Sequence, residues 1–87
     1  MSLEAKFNEA AESVKNFKKR PSDDELLQLY ALFKQATDGD NHKEKPGMLD
    51  LKGKAKWEAW SDKKGQSKEV AMEAYVALAN KLEARYA

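Results

Sequence analysis

Leu3, Phe7, Ala10, Val14 and Phe17 follow one another at steps of four and three residues, a spacing that stacks side chains on one face of an α-helix. The pattern predicts a helix from about residue 3 to residue 16. Lys18-Lys19-Arg20-Pro21 ends it, because the ring of Pro21 disfavours helical backbone at Arg20. Ser22-Asp23-Asp24-Glu25 then reads as a capping box, in which Ser22 and Glu25 each satisfy the other's backbone N–H. A second helix starts there, with Leu26, Leu29, Phe33 and Ala36 as its apolar stripe and Tyr30 and Lys34 one turn apart along the edge.

Thr37 to Gly47 has the composition of a long solvated loop. Asp50 is placed to cap a shorter third helix that carries Leu51, Ala55, Trp57 and Trp60 and ends before Gly65. Ser67 caps a fourth, whose buried stripe is Ala71, Tyr75, Leu78 and Leu82. Nowhere does a segment alternate apolar and polar residues with β-branched enrichment. The expected class is therefore all-α, four helices about one core, and 87 residues make one such domain and no second.

Several chemistries are excluded by what the chain lacks. Without cysteine there is neither a disulfide framework nor a thiolate zinc site, which suits a reducing compartment. The polar N-terminal residues do not form a signal peptide, no stretch is long enough to span a bilayer, and Ser2 stands where myristoylation needs glycine. The expected address is cytoplasmic. A net charge of only +1 argues against a general nucleic-acid binder. The bases are nonetheless clustered: four lie between Ser13 and Arg20 with no acid, and five lysines lie between Asn41 and Trp57 with two acids.

Asp38-Gly39-Asp40-Asn41-His42 starts like a calcium loop, but Lys43 and Leu49 fall where glycine and a bidentate carboxylate are required. Gly47 and Gly53-Lys54-Ala55 miss the phosphate-loop spacing, and Ala55 lacks the magnesium-binding hydroxyl. Ser67 has no second glycine to form a nucleophile elbow, and His42 is the only imidazole. No catalytic group, metal or cofactor is expected.

What remains is Tyr30, Phe33 and Lys34 on the second helix, Lys52 and Lys56 on the third, and Tyr75 on the fourth. On the residues alone this set has two readings. Either it surrounds an anionic ligand, or Phe33 and Tyr75 are core residues and the lysines are solvated, those at the end of the first helix complementing its dipole.

The run from Pro21 to Gly39, PSDDELLQLYALFKQATDG, resembles the signature of the acyl-CoA-binding protein family. So, in order and spacing, do Lys45 to Trp60, Lys64 to Glu69 and Ala74-Tyr75, so that the resemblance covers essentially the whole chain. It implies a four-helix bundle in up-down-down-up order, a non-enzymatic monomer that carries long-chain fatty acyl-CoA in a bowl at the helix edges. It also places ligand contacts on Tyr30, Lys34, Lys56 and Tyr75, with Lys15 and Arg20 more peripheral. Where the family often has a tyrosine near the adenine, this chain has Phe33, which keeps a stacking ring and loses a hydroxyl. Such a ligand has about four negative charges for converging lysines to match. Two rival functions are a basic surface that docks transiently on anionic membranes, and the precursor of a secreted signalling peptide.

Overall fold

The computed structural model describes residues 2–87, and the helices among them are α1 (Leu3–Lys15), α2 (Asp23–Asp38), α3 (Leu51–Ser61) and α4 (Lys68–Tyr86). Each starts on a side chain that accepts from an otherwise unpaired backbone N–H. Ser2 accepts from Ala5, Ser22 from Glu25, Asp50 from Gly53 and Ser67 from Val70, at 3.0–3.2 Å. The capping box is complete, since Glu25 Oε1 accepts in return from the Ser22 N–H at 2.8 Å.

The cap of α3 imposes a residue choice that the spacing does not reveal. A Cβ built on Gly53 would lie 2.7 Å from the Asp50 carboxylate carbon. Gly53→Ala should therefore displace the cap and lower stability by about 1 kcal/mol, despite alanine's better helix propensity. Thermal melts against Gly53→Ala/Asp50→Ala check this, because in the absence of the carboxylate the alanine should cost nothing.

Side-chain and backbone links fix the direction of each helix. Lys19 N–H donates to Tyr86 O at 3.1 Å, joining the ends of α1 and α4, which therefore run parallel. Tyr86 and Arg85 both reach Glu25 at the start of α2, so α2 runs against them. Leu26 and Tyr30 share a cleft with Leu51 and Ala55, while Trp60 bonds to Gly39, so α3 lies parallel to α2. The order is up-down-down-up, and the helices pack in the sequence α1, α4, α2, α3.

The main core joins Phe7 and Ala10 of α1, Leu29, Leu32 and Ala36 of α2, and Ala71, Tyr75, Ala79 and Leu82 of α4. Ala31, Ala59 and Trp60 are buried outside that cluster, on the two helices of the α2–α3 contact. Helix α2 is thus covered on two sides, which is why Ala31, Leu32 and Gln35 are buried although a single stripe through Leu26, Leu29, Phe33 and Ala36 passes them by. Not every stripe position is buried: Leu26 and Leu78 are half-buried against the core cluster, Phe33 is 38% exposed although it stacks on buried Phe7, and Leu51, the first residue of α3, is 73% exposed.

The loop between α2 and α3 is solvated in composition but anchored in structure. Trp60 Nε1 donates to Gly39 O at 2.8 Å and Trp57 Nε1 to Lys43 O at 2.7 Å, while Asn41 Nδ2 reaches Ser61 Oγ at 3.0 Å. Buried Gln35 donates to Asp40 of this loop and to the Gln66 carbonyl of the connection between α3 and α4, tying the two together. The Gly65 N–H and Gln35 together hold the Asp40 carboxyl below its ordinary range.

Candidate functional site

Helix α3 packs on α2 and on no other helix among the described residues. The gap beside that single contact is a cleft of about 530 Å³. Its apolar walls are Leu26, Leu27 and the ring of Tyr30 from α2, with Leu51 and Ala55 from α3. Three cations, Arg20, Lys52 and Lys56, line it together with one acid, Asp23, which Arg20 engages at 2.9 Å.

The helical register explains this chemistry. Leu26, Leu27 and Tyr30 occupy the first two turns of α2, while Leu51, Lys52, Ala55 and Lys56 recur at i, i+1, i+4 and i+5, one edge of α3. The Lys56 ammonium lies 5.4 Å from the centre of the Tyr30 ring, within reach of the ring's negative face. One turn further along α2, Lys34 pairs with Asp38 and sits 5.0 Å over the Trp60 ring. The hydrogen bond to Asp38 holds the Lys34 ammonium above its ordinary pKa, against the opposing pull of burial, and keeps Asp38 ionised in return. Lys34 is therefore a fixed positive charge beside Tyr30.

Phe33 and Tyr75 form a separate aromatic group with Phe7. Phe33 lies against Phe7 with ring centres 5.4 Å apart and near-parallel planes, and Tyr75 meets both rings edge-on at 5.1 and 6.0 Å. Tyr75 is 4% exposed, and its burial pushes the phenol upward, so the hydroxyl stays protonated as a donor. Phe33 is 38% exposed, which removes the reading that makes it wholly a core residue.

Of the residues singled out from sequence, the structure brings Tyr30, Lys56 and Arg20 into one cleft and sets Lys34 beside it. Phe33 and Tyr75 are joined to each other but do not line that cleft. Lys15 does not line it either; it is exposed near the end of α1 and pairs with Glu12 at 3.4 Å. Sequence reasoning missed Leu27 and gave Leu26 and Leu51 only a place among the apolar residues of their helices, because an apolar cleft wall and a core stripe have the same helical spacing. Lys52 was marked by its i, i+4 relation to Lys56.

An amphipathic ligand with an anionic end matches an apolar cleft lined with cations. Comparison with known proteins agrees. Residues 4–79 match the family model described as acyl CoA binding protein. The acyl-CoA-binding protein homolog of Drosophila melanogaster is 64% identical over 81 residues, covering 93% of this chain and 94% of that protein. Homolog 1 of Caenorhabditis elegans is 62% identical over 80 residues, covering 92% and 93%. The crystal structure of Oryza sativa acyl-CoA-binding protein 2 superposes with a TM-score of 0.92 at 38% identity, covering 97% of this chain and 93% of that one.

Proposed function

This chain belongs to the acyl-CoA-binding protein family, and on that premise we propose that it binds long-chain fatty acyl-CoA esters non-covalently and carries them without chemical change. The observation behind the reading is the composition of the α2–α3 cleft: leucine and alanine walls that suit a fatty acyl chain, beside Arg20, Lys52 and Lys56, which suit phosphates. Tyr30 and Lys34 extend the polar end of that surface. Phe33, 38% exposed, offers a platform for the adenine, with Phe7 stacked on its ring at 5.4 Å and Tyr75 meeting it edge-on. A chain without cysteine suits the reducing cytosol, where we place this activity.

Calorimetric titration tests the proposal with palmitoyl-CoA, free palmitate and free coenzyme A. The ester should bind far more tightly than either half, since each half forfeits one of the two kinds of contact. Equal affinity for palmitate and its ester would leave a generic lipid carrier instead. Lys56→Ala should weaken ester binding by about 1.5–3 kcal/mol, the range of a hydrogen bond to a charged group. Lys18→Ala, an exposed residue beyond α1, should leave binding unaltered. Equal losses from the two variants would mean diffuse electrostatics and remove Lys56 from the site.

A further inference from the structure

The Trp60 ring gathers two ammonium groups: Nζ of Lys34 lies 5.0 Å and Nζ of Lys43 lies 5.9 Å from its centre. Like charges set this close repel, and a nearby anion offsets the repulsion. Asp38, the last residue of α2, supplies one. Its carboxylate pairs with Lys34 one turn back, and it is kept ionised chiefly by the hydrogen bond from Lys34, with a smaller contribution from the charge of Lys43. Lys43 is held for this by its backbone, whose N–H donates to Asn41 Oδ1 at 2.9 Å and whose carbonyl accepts from Trp57 Nε1 at 2.7 Å. It makes no ion pair of its own among the described residues.

The helix that bears Asp38 gains nothing from its charge. The C-terminus of α2 is the negative end of the helix dipole, and its last turn has no basic residue, so a carboxylate there is unfavourable unless lysines elsewhere offset it. Asp38 does not close the helix either; the Gly39 N–H does, donating to Gln35 O at 3.1 Å. The Asp38 side chain is 48% exposed, against 22% for Lys34, so it can turn into water and leave the ammonium to another anion.

We propose that Lys34 and Lys43 on Trp60 form an anion subsite of which Asp38 is the internal occupant, and that a phosphate of the ligand takes the place of the Asp38 carboxylate. The inference rests on the acyl-CoA reading and adds two residues to it: Lys43 as a second cation for the phosphate, and Asp38 as the group that competes with it. The exchange favours phosphate, because three acceptor oxygens and up to two charges can engage both lysines where a carboxylate has two oxygens and one charge. Asp38 therefore lowers affinity for the head group while keeping the two ammonium groups together.

Calorimetry with palmitoyl-CoA and with free coenzyme A tests the exchange. Asp38→Asn should tighten both by the same factor, about fivefold, since the competition concerns the head group alone. In a Lys34→Ala background the same substitution should gain less than about twofold, because the contested ammonium is gone. Lys43→Ala should weaken both ligands about threefold. Weaker or unchanged binding by Asp38→Asn would make Asp38 a support for Lys34 or a bystander and overturn the proposal. So would a gain that persists in full without Lys34, which is general repulsion between Asp38 and the ligand, or an unchanged Kd for Lys43→Ala. Failure of the parent chain to bind palmitoyl-CoA at all would defeat the acyl-CoA reading as well, whereas the other three outcomes leave that reading standing.

Discussion

Shortening the acyl chain of the ester from sixteen to eight carbons is expected to weaken binding by more than about a hundredfold. Each fully buried methylene contributes about 0.8 kcal/mol. The α2–α3 cleft is open along one side because α3 has no second helical neighbour, so a chain lying in it is covered by Leu26, Leu27, Leu51 and Ala55 on its inner face. Taking half the full value for eight methylenes gives about 3 kcal/mol, somewhat more than two decades in Kd. Calorimetry on octanoyl- and hexadecanoyl-CoA isolates this contribution, because the head group is the same in both. Indistinguishable affinities would mean that the tail lies outside the cleft.

Trp60→Ala should be the most damaging single substitution for the fold, at about 3–5 kcal/mol. The ring is 3% exposed, its N–H holds the Gly39 carbonyl at the end of α2, and Lys34 and Lys43 lie 5.0 and 5.9 Å over it. Truncation removes the packing between α2 and α3 and unfastens the loop between them. For a domain of this size the melting temperature should fall by more than about 12 °C. Trp60→Phe, which keeps most of the ring and loses the N–H, should cost only about 1 kcal/mol. A Trp60→Ala protein that melts with the parent would mean that α3 is held by something other than this residue.

Helix starts were legible in the sequence because capping is local: Ser22 and Glu25, Asp50 and Gly53, and Ser67 and Val70 are each three residues apart. The links that place the helices against each other were not, since Trp60 with Gly39 and Tyr86 with Glu25 are separated by 21 and 61 residues and leave no periodic trace. The lysines and tyrosines of the site stood out by type and were placed by resemblance. The apolar half was hidden, because helical spacing shows that Leu26 and Leu51 share faces with other apolar residues, and only packing decides whether a face meets a core or a cleft.

The single-sided support of α3 ties cargo and local order into one equilibrium. A helix fastened by one neighbour, two indoles and a cap detaches at a lower free energy than global unfolding requires. A ligand spanning the cleft binds only the attached form, so by mass action it stabilises attachment in proportion to the logarithm of its occupancy ratio. A molecule that enters the cleft thereby becomes the part that firms the wall around itself.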